Sequence, residues 1–126
     1  MRTRGRTALT ILTVAFVLGA AVPARAHSFP EQESPSAGQT LSAPPGEVSI
    51  KFDAPIENLF AKIEVDGADG KNYAVGDPTL TSDGRTLSIK LGALAPGVYT
   101  VKWAVVCIDT HHTNGSYIFT VKGPGA

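Results

Sequence analysis

Apolar and polar residues alternate along several short stretches after residue 45, and residues 27–126 contain no long stretch with helical periodicity. Alternation places successive side chains on opposite faces of a strand, so each stretch predicts a half-buried β-strand. Strands at this spacing favour an all-β domain, an immunoglobulin-like Greek-key β-sandwich or barrel. The predicted strands are Val48–Phe52, Ala61–Val65, Thr86–Leu91, Val98–Cys107 and Tyr117–Val121.

Clusters of Gly, Asp, Ser and Asn between these stretches indicate turns. Asp66–Gly70 lies between Val65 and Tyr73, and Ser82–Gly84 precedes the stretch that begins at Thr86. Thr113–Gly115 is predicted to form the turn before the last strand. Residues Glu31–Pro45 are rich in Ser, Pro, Gln and Gly, and we expect them to be mostly irregular. This segment has to return the N-terminal residues to the domain.

The predicted strand that ends at Cys107 is followed by a carboxylate and two imidazoles, those of Asp109, His111 and His112. Its odd-numbered positions from residue 99 to residue 107 are apolar or aromatic and form the expected core face. If the extended geometry continues past Cys107, Asp109 and His111 lie on that same side. A carboxylate and an imidazole could then converge on one ion. On its own, however, an Asp followed by two His in a polar loop is more often simply solvated.

The first 26 residues have the three parts of a secretory signal peptide. Arg2, Arg4 and Arg6 form a basic start, Ala8–Val22 is apolar, and Ala24–Ala26 is a small-x-small cleavage site. A transmembrane anchor is the alternative, but an apolar run of about 15 residues is shorter than the roughly 20 that span a bilayer. The sequence therefore predicts a signal peptide at 1–26 and one domain at 27–126, which is exported, soluble after cleavage and monomeric.

Cleavage after Ala26 would make His27 the first residue of the exported protein. An N-terminal histidine offers two nitrogens, the α-amine and the imidazole, which can close a chelate ring on a metal ion. The chain has three histidines, and the other two are His111 and His112. Because no histidine lies elsewhere, this distribution favours a metal site built from both ends of the domain.

The charge balance narrows the classes of partner, and the cysteine content limits how the domain can be stabilised. The 11 basic residues match the 11 acidic ones, but four of the basic residues precede His27, so 7 against 11 remain and the exported chain carries about −4. That balance argues against nucleic acid and anionic membranes, which call for clustered Lys and Arg. Cys107 is alone and cannot form an internal disulfide, so packing must stabilise the domain.

With these residues in place, the chain resembles the CopC family of copper-resistance proteins over nearly all of residues 27–126. The histidine after an Ala-x-Ala site and the final Asp-x-His segment are the specific parts of the match, and the others are common in β-proteins. The matching segments are His27, Ser34–Gly38, Val48–Phe52, Pro96–Trp103, Asp109–His111, Gly115 and Phe119–Val121.

The resemblance implies one Cu(II) ion per chain, coordinated by His27, Asp109 and His111. The only methionine is Met1, which is lost with the signal peptide, so we expect no Met-rich Cu(I) site. Two further positions have open roles. His112, where the family usually has Pro, is a ligand, an outer hydrogen-bonding group or a solvated side chain. Cys107, where the family usually has Ser, is a buried core residue or a thiolate ligand.

An acidic residue that many family members carry near Phe52 is Ala54 here, and Asp53 or Glu57 could take its outer-sphere role. The implied function is an extracytoplasmic Cu(II) carrier, periplasmic or secreted, that sequesters copper or passes it to a membrane copper transporter of CopD type. It is not expected to be an enzyme. The alternatives are a copper-dependent oxidative enzyme with an N-terminal histidine brace and a purely structural β-sandwich.

Overall fold

The computed structural model describes Gly19 and residues 28–123, and these residues form an all-β domain. The predicted signal peptide, apart from Gly19, and His27 lie outside the described residues. No helix in the described part of the chain is long and apolar enough to cross a membrane. The strands are β1 (Pro30–Ser34), β2 (Thr40–Leu41), β3 (Glu47–Phe52), β4 (Lys62–Gly67), β5 (Ala74–Leu80), β6 (Thr86–Leu91), β7 (Gly97–Val106) and β8 (His112–Val121).

Two four-stranded sheets pack face to face. Sheet 1 has the strand order β1-β3-β6-β5, and sheet 2 has the order β2-β8-β7-β4. All pairings between these strands are antiparallel except that of β2 with β8. The predicted β-sandwich is therefore confirmed. The chain crosses between the sheets after β1, β2, β3, β4 and β6, so most neighbours in sequence lie in opposite layers.

The core lies between the sheets and is built from the alternating positions that the sequence indicates. On β7, Tyr99, Val101, Trp103 and Val105 are all buried, which confirms the predicted core face. Phe52 of β3 meets Trp103 edge to face, with ring centroids 5.3 Å apart, and joins the two sheets. Burying each such large apolar side chain contributes about 1.5–3 kcal/mol.

Strands β1, β2 and β5 are absent from the predicted set. The segment Glu31–Pro45 contains most of β1 and all of β2, but most of its residues lie outside strands, as expected. Strand β5 is absent from the predicted set because Gly76 and Pro78 interrupt its alternation. It forms at the edge of sheet 1, where a proline is tolerated, and its pairing with β6 shifts register between Val75 and Thr79.

The predicted turn at Thr113–Gly115 is wrong, because these residues belong to β8. Gly115 is opposite Trp103 in the β7–β8 register. A Cβ atom on Gly115 would lie 2.7 Å from Trp103 Cζ2, which is closer than such atoms can approach. The glycine therefore makes room for the indole ring, and it is not a turn residue.

Two buried tyrosines offer a matched test of the packing. Tyr99 Oη donates a hydrogen bond to the Ala95 carbonyl at 2.5 Å, whereas Tyr117 Oη has no hydrogen-bond partner among the described residues. Burial raises the pKa of Tyr117, and the nearby Glu33 carboxylate raises it further. A buried hydroxyl without a partner reduces stability, while a satisfied one contributes about 1 kcal/mol.

We therefore expect Tyr117→Phe to leave the free energy of unfolding unchanged or to increase it. Tyr99→Phe should instead lose about 1 kcal/mol, which corresponds to a fall of roughly 4–8 °C in Tm for a domain of this size. Thermal unfolding of both variants checks this difference. A larger loss for Tyr117→Phe than for Tyr99→Phe would contradict the hydrogen-bond assignment.

Candidate metal centre

The connection between β7 and β8 is a tight turn rather than a continued strand. Thr110 N donates to the Cys107 carbonyl at 2.9 Å, and Cys107 N donates to the His111 carbonyl at 2.8 Å. Thr110 has a φ of 74°, in the left-handed region that few non-glycine residues adopt. The extended geometry past Cys107, on which the shared side of Asp109 and His111 was conditional, is therefore not present. We call residues 108–111 the ligand turn.

The ligand turn nevertheless brings Asp109 and His111 together. His111 Nδ1 lies 3.1 Å from Asp109 Oδ2, and the backbone N–H of His111 donates to Asp109 Oδ1 at 3.3 Å. Both side chains remain partly accessible to solvent, with 39% of Asp109 and 57% of His111 exposed. The two groups converge because the backbone reverses between them, and alternation along a strand plays no part.

The spacing of these two donor atoms fits a metal ion. Donors at adjacent positions of a tetragonal ion, each about 2.0–2.2 Å from it, lie roughly 2.8–3.1 Å apart. The observed 3.1 Å between Asp109 Oδ2 and His111 Nδ1 falls at the upper end of this range. A carboxylate oxygen and an imidazole nitrogen are also ligand types that Cu(II) accepts.

The described residues do not complete a metal site by themselves. Within Gly19 and residues 28–123, no group of three or more His, Cys, Asp and Glu side chains is placed to hold a metal ion. Asp109 and His111 therefore offer two donors, and part of the chain lies outside those ranges. His27, the predicted third ligand residue, lies in that part.

Ser28, which follows His27, is anchored beside the ligand turn. It is 1% exposed, and its backbone N–H donates to Cys107 Sγ at 2.9 Å. Its hydroxyl donates to the Pro55 carbonyl at 3.2 Å, and Thr113 Oγ1 donates to the Ser28 carbonyl at 3.0 Å. Cys107 and Thr113 flank the ligand turn on its two sides, so these contacts attach the N-terminal segment to both strands that the turn connects.

Asp53 extends this anchor by one residue. Phe29 N donates to Asp53 Oδ1 at 2.9 Å, and Asp53 N donates to the Phe29 carbonyl at 2.9 Å. The Asp53 carboxylate therefore holds the backbone of the N-terminal segment. For Glu57, the recorded contact is a backbone one, from its N–H to the Val106 carbonyl at 2.8 Å.

The two residues with open roles differ in their surroundings. His112 is the first residue of β8 and pairs with Val106. Thr113 faces inward to Ser28, so His112 projects from the outer face of sheet 2 and is exposed. Cys107 is 3% exposed, carries no disulfide and accepts the Ser28 N–H. The thiol is thus buried and accepts a hydrogen bond from a known donor, the Ser28 N–H.

The sequence reasoning missed Ser28 and Thr113 as residues of this region. Their hydrogen bond joins positions 85 residues apart in the chain, and the bond from Ser28 to Cys107 joins positions 79 apart. Neither residue has a side chain typical of metal ligands. The one local signal is that Ser28 directly follows His27, the predicted first residue of the exported chain.

The opposite end of the sandwich contains a shallow depression of about 190 Å³ that includes Asp69, Tyr73 and Tyr99. Tyr73 Oη donates to Asp69 Oδ2 at 2.6 Å, and this bond lowers the pKa of Asp69. The polar groups there bond to one another or to backbone. The ligand turn therefore stays the candidate site, because the polar groups of the depression already bond to other groups of the protein.

The chain is similar to known proteins in family, in sequence and in structure. A family model described as the CopC domain matches residues 30–122. Protein YobA of Escherichia coli K12 is 32% identical over 119 residues, which cover 93% of this chain and 94% of YobA. Copper resistance protein C of E. coli is 30% identical over 120 residues, covering 89% of this chain and 94% of that protein.

A longer relative and two crystal structures extend the match. Copper transport protein CutJ of Bacillus subtilis is 28% identical over 98 residues, which are 76% of this chain and 18% of CutJ. CopC from Methylosinus trichosporium OB3b superposes with a TM-score of 0.73 at 32% identity, covering 79% of this chain and 98% of that one. PcoC, described as a methionine-rich copper resistance protein from E. coli, gives 0.66 at 25% identity and 77% and 100% coverage.

Proposed function

Since the chain belongs to the CopC family, we propose that it is an extracytoplasmic carrier that binds one Cu(II) ion through His27, Asp109 and His111. The observation that carries this proposal is the 3.1 Å pair of Asp109 Oδ2 and His111 Nδ1 on a solvent-accessible turn. The family match favours a copper-binding protein over an enzyme.

The anchoring of Ser28 supports His27 as the remaining ligand residue. Consecutive Cα atoms lie 3.8 Å apart, so a residue bonded to Ser28 starts close to the strand ends that the ligand turn connects. With the α-amine and imidazole of His27, the imidazole of His111 and a carboxylate oxygen of Asp109, the set has three nitrogens and one oxygen. Tetragonal coordination by nitrogen and oxygen is what Cu(II) prefers, and the affinity of a given site for divalent ions peaks at copper.

The composition of the chain supports Cu(II) over Cu(I). Thioether and thiolate ligands select Cu(I), yet Met1 is the only methionine and precedes the proposed cleavage site. PcoC, by contrast, is described as methionine-rich. The single, buried thiol of Cys107 does not amount to such a set.

The proposed location and partner follow from the chain's N-terminus and its relatives. Removal of residues 1–26 as a signal peptide releases a domain at 27–126 outside the cytoplasm. The match to part of CutJ, a protein named for copper transport, supports delivery of the ion to a membrane copper transporter of CopD type. The net charge of about −4 on residues 27–126 is compatible with a cation carrier.

A Cu(II) titration of the protein beginning at His27 tests this function. We expect saturation at one ion per chain and no production of peroxide above that of free copper with a reductant. Copper-dependent peroxide production or glycan oxidation by the pure protein would instead favour an oxidative enzyme. Absence of stoichiometric binding would leave only a structural sandwich.

A further inference from the structure

Cys107 joins the N-terminal segment to the ligand turn. Its Sγ accepts the Ser28 N–H at 2.9 Å. Its backbone N–H donates to the His111 carbonyl at 2.8 Å, and its own carbonyl accepts from Thr110 N at 2.9 Å. It also forms an isolated β-bridge with Ile56. One residue thus holds the segment that follows His27 and both sides of the turn.

We propose that Cys107 is a positioning residue of the copper site, whose thiol fixes the N-terminal ligand residue beside the ligand turn without itself binding copper. The inference rests on the proposed function, because it assumes that His27 supplies ligands. It assigns the thiol the role of a hydrogen-bond acceptor. Cys107 is 3% exposed and is the free cysteine of the described chain.

The thiol acts by reducing the conformational freedom of the chain end before copper arrives. A chain end that is already ordered loses less entropy on binding, so preorganisation increases affinity. One hydrogen bond of ordinary strength changes an equilibrium by about 3- to 10-fold. Loss of the Cys107 acceptor should therefore weaken Cu(II) binding by that factor, far less than loss of a ligand.

Thr113 also fixes the backbone of Ser28, from strand β8. Its Oγ1 donates to the Ser28 carbonyl at 3.0 Å, so the backbone of Ser28 is bonded on both its N–H and its C=O. If these bonds position the ligand residue, removal of either should have a similar effect on affinity. Thr113→Val removes the donor with little change in side-chain shape.

The test measures Cu(II) affinity by competition with a chelator of known affinity, using protein that begins at His27. Cys107→Ala and Thr113→Val should each weaken binding about 3- to 10-fold. Cys107→Ser keeps an acceptor and should restore most of the loss. Thr120→Val, near the other end of β8, is the matched control and should leave affinity unchanged. The Cu(II) electron paramagnetic resonance spectrum should keep the same nitrogen ligands in all variants.

A second set of proteins carries one extra residue before His27. There the amine is blocked, and Cys107→Ala should have a smaller effect on the remaining affinity, because only the imidazole of His27 is left to be positioned. An equal loss in both sets would overturn the positioning role, because a merely structural effect does not depend on the terminus. An unchanged affinity of Cys107→Ala in the native-terminus set would also overturn it, as would a loss above 100-fold with a changed spectrum, which marks a thiolate ligand.

If the extra residue alone leaves affinity unchanged, the proposed His27 ligand is wrong, and the positioning role is overturned with it. Weakening by the extra residue without any effect of Cys107→Ala overturns the positioning role alone. Thermal unfolding of the metal-free variants shows whether each is folded. If Cys107→Ala does not fold, Thr113→Val and Cys107→Ser decide the question.

Discussion

Replacement of His111 by alanine is expected to weaken Cu(II) binding by more than about 100-fold, because loss of an outer-sphere partner of a metal ligand already costs 10- to 100-fold. Asp109→Ala should have an effect of the same order, since it removes the oxygen donor that lies 3.1 Å from His111 Nδ1. Competition titration with a chelator of known affinity measures both losses.

His112→Ala is the control for this prediction. It removes the same side chain from the neighbouring position, but His112 projects from the outer face of sheet 2, and its loss should matter far less. A loss for His112→Ala equal to that for His111→Ala would contradict the assignment of the ligand turn. Unchanged affinity in both His111→Ala and Asp109→Ala would contradict it as well.

Copper should also stabilise the folded domain strongly. The proposed ion joins the N-terminal segment to the connection between β7 and β8, and a ligand that binds only the folded state stabilises it by about 2.7 kcal/mol at 100 times its Kd. For a domain of this size that corresponds to a rise in Tm of roughly 10–20 °C. Thermal unfolding with and without Cu(II) measures the shift.

Two comparisons test whether the shift in Tm comes from copper bound at the proposed site. Zn(II) at the same concentration should raise Tm less, because affinity for a given ligand set falls from copper to zinc. In His111→Ala, the increase with copper should largely disappear. A shift of the same size in that variant would show that copper binds elsewhere on the domain.

Alternation predicted the central strands well because their two faces meet different surroundings. Thr86–Leu91 forms β6 over the same residues as predicted. Strand β5 was missed because its glycine and proline are compatible with an edge strand that carries a register shift, and alternation does not report position within a sheet. Gly115 suggested a turn, but the residue is small because Trp103 packs against it from the neighbouring strand.

The candidate site was predicted in part. The i and i+2 spacing correctly suggested that Asp109 and His111 approach each other, but the cause is the left-handed conformation of Thr110, which no composition rule predicts. The anchor of Ser28 depends on contacts with Cys107 and Thr113 that form only when the chain ends meet. Such contacts leave no local pattern in the sequence.

The central claim is that a free N-terminal His27 completes the copper site with Asp109 and His111. The most direct measurement is a Cu(II) titration of the protein that begins at His27, alongside a version with one extra residue before it. We expect the extra residue to weaken binding by orders of magnitude and to change the Cu(II) spectrum, because it removes the α-amine donor. Equal affinities and identical spectra for the two proteins would contradict the claim.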